Sequence, residues 1–151
     1  MLAEAAYDPA GGRPSVASML AAPSTARYVA AWGRRGDAAV IAEGANPLGA
    51  AWYRLFTADE PGFGFIDAET PEVSIAVVPE RRGEGIGSAL LEALVERGRG
   101  EGHRALSLSV SPDNPAVSLY RRFGFVRVAS RDDHWTMRLD LRSQSGPARG
   151  E

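Results

Sequence analysis

Arg82-Gly83-Glu84-Gly85-Ile86-Gly87-Ser88 is the stretch whose residue types and spacing speak most directly of chemistry. It follows a β-branched run, Val73 to Val78, closed by Pro79, and it opens a helical pattern. A glycine-rich turn in that place leaves several backbone N–H groups without partners at the positive end of the helix. Glycines let a phosphate approach those groups closely. Two nucleotide-binding spacings fail here. A G-x-G-x-x-G pattern begun at Gly83 or Gly85 needs glycine where Ser88 or Leu90 stands. A P-loop needs Gly-Lys-Ser/Thr, and the chain has no lysine. By itself the turn either holds an anion or merely reverses the chain sharply.

Two other side chains carry reactive groups in suggestive places. Tyr120 lies on one helical face with Ala116, Leu119 and Phe123, a spacing that by itself reads as a core aromatic. Glu72 begins the strand that leads to the glycine turn; it is either a buried carboxylate able to take a proton or a solvated charge at a strand end.

Composition removes several chemistries. Without cysteine there are no disulfides, no thiolate nucleophile and no cysteine-ligated zinc. His103 and His134 are far apart in sequence and suggest no metal site. All 17 basic residues are arginines, so phosphate can be held in a planar fork while lysine-based Schiff chemistry is excluded. A net charge of −2 argues against nucleic acid as the main partner. No apolar run approaches the roughly 18 residues of a membrane span, and Met-Leu-Ala-Glu does not start like a signal peptide. A cytoplasmic protein is expected.

The elements that must position these groups follow from periodicity and punctuation. Residues 1–23 read as an Ala-rich helical extension, and Ser24-Thr25 as the cap of a helix running to about Trp32, ended by Gly33. Strands are expected at Ala38–Glu43, Leu48–Phe56 and Val73–Val78. The segment from Thr57 to Pro71 is long for a structureless connection and reads as a functional lid. A helix from the glycine turn to about Gly98 carries Ile86, Leu90 and Leu94 on one stripe. Then come a strand at Ala105–Val110 and a helix capped by Asn114, with Pro115 first and Gly124 as its left-handed stop. Strands at Phe125–Ser130 and His134–Leu141 close the fold, and 143–151 reads as a disordered tail. This order is an α/β (α+β) fold, with one domain over 24–142.

At this point the sequence resembles the GCN5-related N-acetyltransferase (GNAT) family. Its pyrophosphate motif, Arg/Gln-x-x-Gly-x-Gly/Ala, is matched by Arg82-Gly83-Glu84-Gly85-Ile86-Gly87. A second family segment is matched by Asn114-Pro115-Ala116 and Leu119-Tyr120-Arg121-Arg122-Phe123-Gly124-Phe125. The resemblance implies a mixed, mostly antiparallel central sheet flanked by helices, and acetyl-CoA as acyl donor. It implies that Val77 and Val78 pair with the pantetheine arm, that the N–H groups from Arg82 through Gly83, Glu84, Gly85, Ile86 and Gly87 to Ser88 cradle the pyrophosphate, and that Asn114 contacts the cofactor or orders its helix. Tyr120 would sit beside the thioester sulfur as proton donor, and Glu72 would be the base, directly or through water. A main-chain N–H at Val77 or Val78 would meet the oxyanion formed when an amine attacks the thioester directly.

Asp59, Glu60, Asp67 and Glu69, with Phe63 and Phe65 beside them, would suit a cationic small-molecule or peptide amine, although an ordinary solvated loop explains them as well. Family members usually begin with a strand before the first helices, and nothing before Pro14 reads as one. That would leave an open sheet edge for a homodimer partner to cover. A non-catalytic acyl-CoA binder or sensor is the competing function, and an arginine-rich RNA-binding module a weaker one.

Overall fold

The structure, a computed structural model, describes residues 26–142. The N-terminal extension, the cap at Ser24-Thr25, any strand before Pro14 and the tail from 143 lie outside the described residues. Six strands and two helices follow: β1 (Ala38–Glu43), β2 (Pro47–Arg54), β3 (Glu72–Val77), α1 (Ile86–Gly100), β4 (Ala105–Val110), α2 (Ala116–Phe123), β5 (Val126–Arg131) and β6 (His134–Asp140). The strands line up in one sheet in the order β1-β2-β3-β4-β6-β5. The β1–β2, β4–β6 and β5–β6 pairs are antiparallel and β3–β4 is parallel, so the sheet is mixed as expected. Among the described residues, no helix is long and apolar enough to cross a membrane.

The chain divides into two compact units, the first made of residues up to Arg54 with Val73–Leu94, the second of Leu55–Glu72 with the residues from Val95 on. In the first unit, β2 is buried from Gly49 to Arg54, on both faces, which is why its sequence is a run of small and aromatic residues and does not alternate. Gly49 is obligatory there. A Cβ on it would lie 2.8 Å from the carbonyl oxygen of Ala76 and 3.1 Å from Leu90 Cδ1, so β3 and α1 both close onto bare backbone. Leu90, Leu91 and Leu94 form the buried stripe of α1.

The same unit contains a buried ion pair that the sequence did not announce. Arg54, 1% exposed, donates from Nε and Nη2 to both carboxylate oxygens of Asp37, at 2.9 and 2.7 Å. Its Nη1 donates to the carbonyls of Arg27 and Ala30, and its guanidinium lies over Trp32. Asp37 in turn accepts the N–H groups of Gly33 and Arg34. The helix expected to end at Gly33 is one turn, with Val29 and Ala30 donating to Ala26, and left-handed Ala31 and Gly33 end it. Arg54 collects the carbonyls this short turn leaves open.

In the second unit, Leu106, Leu108, Met137, Leu139, Leu141 and Phe125 form the core. The Thr57–Pro71 segment is folded onto it. A Cβ on Gly64 would fall 2.6 Å from the carbonyl carbon of Leu108, so the loop rests directly on the backbone of β4. Phe63 packs edge-on to His134 at 5.9 Å. Internal turns close the rest: Phe65 N–H donates to Gly62, and Asp67 accepts from Glu69 N–H and the Thr70 hydroxyl. The expected lid is an anchored loop.

Candidate active site

The glycine turn begins with a single 3-10 turn, Pro79–Arg81, after which Arg82 is extended. Gly83 and Gly85 then adopt φ of +84° and +86°, a left-handed backbone that side chains resist. Left-handed residues alternating with ordinary ones turn successive N–H groups toward one concavity, which attracts anions. The turn is not covered by other parts of the described chain on its Cβ side: a Cβ built on Gly83 or Gly85 meets nothing within 4 Å. Ala89 N–H donates to Gly85 and starts α1, so the N–H groups of Gly87 and Ser88 fall in the first turn, where no intrahelical partner exists. No acidic residue offsets the positive end of this helix. The carboxylate of Glu84 is drawn aside by Arg81 Nε at 2.8 Å. The residues present therefore fit a diphosphate.

The main chain distinguishes Val78 from Val77. Val78 N–H is committed to the Leu48 carbonyl of β2 at 2.9 Å. Since successive N–H groups of a strand point to opposite edges, those of Val77 face away from β2. The Val77 carbonyl already accepts a hydrogen bond there, from Arg82 Nε at 3.1 Å. That bond ties the first residue of the motif back to the strand end and gives Arg82 a use its side chain did not advertise.

The remaining expected residues lie in the second unit. Asn114 Oδ1 accepts the Ala116 N–H at 2.9 Å and Asn114 O accepts the Val117 N–H, so this residue orders the start of α2. Tyr120 is 6% exposed and packs edge-on to Phe125. Gly124, at φ +103°, ends α2 so that Phe125 N–H returns to the Tyr120 carbonyl. Burial pushes the Tyr120 phenol well above its ordinary value, so it keeps its proton at neutral pH. Glu72 is 2% exposed, which excludes a solvated strand-end charge. It stands opposite Ser107, the one β3–β4 pair in the register. Five residue steps of strand separate it from Val77, about 16 Å at the usual rise.

Two of the four acids of the loop line a cavity and two do not. Asp67 and Glu69 line a cavity with His103, Arg104, Arg138 and Arg142, leaving exposed Asp59 and Glu60 as the loop's only other pair. Gly49, Gly64 and the Arg54–Asp37 pair were missed from sequence. An isolated glycine inside a strand pattern was the available signal for the first. No local pattern joins Asp37 to Arg54.

Residues 16–125 match the Acetyltransferase (GNAT) family. The chain belongs to this family. Among curated proteins, this GNAT chain is 40% identical over 81 residues to a mycothiol acetyltransferase of Arthrobacter sp. (strain FB24), a match covering 53% of the chain and 24% of that relative. The chain thus spans about a quarter of that relative's length. Among solved structures it resembles an N-acetyltransferase of Staphylococcus aureus Mu50, with 28% identity, a TM-score of 0.58, and 72% and 70% of the two chains covered. The same fold is found in yncA of Salmonella typhimurium, solved with its cofactor acetyl-CoA, at 24% identity and a TM-score of 0.59, covering 70% of this chain and 65% of that one.

Proposed function

We propose that this protein transfers an acetyl group from acetyl-CoA to an amine. The observation that carries the reading is the open, twice left-handed glycine turn ahead of α1 in a chain of this family. Acetyl-CoA supplies a thioester carbonyl that an amine can attack without a covalent enzyme intermediate. The N–H groups from Gly83 to Ser88 hold the diphosphate. Val77 offers its N–H to the carbonyl oxygen, because Val78 has already spent its own on β2. Tyr120 holds a proton at Oη for the leaving sulfur, and its raised phenol value suits a donor that must not ionise early. Glu72 is the base this reading assigns for the ammonium proton, reached through a chain of water molecules, since β3 carries it about 16 Å from Val77.

Asp59 and Glu60, with Phe63 47% exposed near them, are the groups this reading assigns to a cationic acceptor. The cytoplasm is the proposed setting. The assembly is a homodimer over the β1 edge, where Ile41 is 59% exposed. Thiol release from acetyl-CoA across a panel of small amines and peptide N-termini tests the activity. No amine-dependent release, with acetyl-CoA binding intact, would leave a binding protein in its place.

A further inference from the structure

A cavity of about 310 Å³ opens in the second unit beside the turn that joins α1 to β4. Arg104, Arg138 and Arg142 line it, as do His103 and Glu69. Arg138 is half-buried on β6, level with Ser107 of β4 and Val126 of β5, so the sheet fixes where its stem begins.

Most other arginines of the described residues have identifiable work. Arg54, Arg81, Arg97 and Arg99 pair with carboxylates, and Arg121 and Arg127 lie over Trp135. Arg104 and Arg138 have neither an ion pair nor a side-chain hydrogen bond among the described residues. Two guanidiniums on one cavity repel each other, the more so on the half-buried Arg138 side, and a bound anion would relieve that repulsion.

The acids of the same cavity offset it only in part. Asp67 is occupied by Glu69 N–H and the Thr70 hydroxyl. The Glu69 carboxylate makes no ion pair with the arginines. The cavity therefore presents both signs, with the positive in excess by three arginines to two carboxylates. The negative end of α1 nearby is covered, because Gly102 N–H donates to Arg99 and His103 N–H to Gly98.

We propose that this cavity binds an acidic α-amino acid. Two carboxylates engage Arg104 and Arg138 as planar forks, and the ammonium meets Glu69. A dianion without an ammonium leaves Glu69 repelled, and a monocarboxylate leaves one guanidinium bare.

Calorimetry on the full chain without acetyl-CoA tests this, using L-glutamate, L-aspartate, succinate, L-alanine and inorganic phosphate as probes. The expected result is glutamate or aspartate binding at about 1 mM or tighter, ahead of the other three. Arg138→Gln and Arg104→Gln should each weaken it about tenfold or more. Glu69→Gln should weaken glutamate while leaving succinate unchanged or tighter. Circular dichroism and acetyl-CoA binding check that the variants fold. No heat with either acidic amino acid overturns the proposal. So does succinate or phosphate binding as tightly as glutamate, or binding indifferent to both arginine changes in folded protein. The acyl-transfer reading is untouched by any of these outcomes, since no acyl donor is present.

Discussion

Tyr120 shows how one side chain can satisfy two demands. Its ring fills the core beside Phe125, as the stripe of α2 requires, and the burial that this packing imposes keeps the hydroxyl protonated. Tyr120→Phe should keep the packing and lose the proton. We expect kcat to fall about a hundredfold with the KM for acetyl-CoA little changed, which steady-state kinetics will read. The same change has a stability signature. An acid whose folded value is raised binds its proton while the unfolded chain releases it, so stability falls as pH climbs past the ordinary tyrosine range. Urea titrations should show the native protein losing about 1 kcal/mol more than Tyr120→Phe for each pH unit above ~10. Equal alkaline losses would remove the desolvated phenol from the account. Gly85 works through its backbone. Gly85→Val places its Cβ in open space but forces φ +86° on a β-branched residue, which disturbs the turn. We expect about 1–3 kcal/mol of lost stability and at least a tenfold rise in the acetyl-CoA Kd, measured by calorimetry. The glycine turn and the buried face of α2 were legible in the sequence because each is local: a glycine spacing, and one stripe of a short helix, which by itself marked Tyr120 as core. What the residue types left open was which of Val77 and Val78 kept a usable N–H, since that depends on Leu48 across the ladder.

At the scale of elements, the strands and helices fell close to their periodic patterns. Ala38–Glu43 and Ala105–Val110 match residue for residue, and β2 stops at Arg54, short of the expected Phe56. The β1–β2 ladder ends at the Ala38–Tyr53 pair, and Arg54 follows it with an inward-turned side chain. Its guanidinium reaches the Ala26–Ala30 turn and Asp37 and staples the turn to the edge of β1. A contact between residues 17 apart in sequence leaves no local trace. Burial alone would raise the Asp37 carboxyl, but Arg54 and the N–H groups of Gly33 and Arg34 overcome it and hold the carboxyl below its ordinary value. A lowered folded value contributes stability above the unfolded value that is lost as pH falls toward the folded one. Removing one partner strands the other without water. We expect Arg54→Met to cost about 3–5 kcal/mol, and the double change with Asp37→Leu to recover much of it. Thermal melts at neutral pH measure this, and repeating them near pH 3 should shrink the penalty of Arg54→Met as Asp37 takes up a proton. A double variant no better than the single would mean that the carbonyls of Arg27 and Ala30, which also lose their donor, dominate the cost.

For the molecule as a whole, the informative fact is an absence that the sequence displays openly. Seventeen basic residues are all arginine, so no lysine ε-amine exists anywhere in the chain. Guanidinium is protonated at every working pH and is a poor nucleophile toward a thioester, so the only free amine this chain can offer is its α-amino group. A protein that binds acetyl-CoA and carries lysines acquires acetyl groups on itself, and thiol release then mixes self-modification with turnover. This one cannot do so beyond a single event. Incubated with excess acetyl-CoA and no acceptor, the 151-residue chain should show by intact-mass spectrometry at most one added acetyl, on its α-amino group. With a true acceptor amine, thiol should exceed protein many times over, and all of it should be accounted for as acetylated acceptor. Release exceeding one equivalent without acceptor would mean that water reaches the thioester. The role proposed for the Val77 N–H would then extend to hydrolysis, and the acceptor site proposed at Asp59 and Glu60 would have to exclude solvent as well as bind charge.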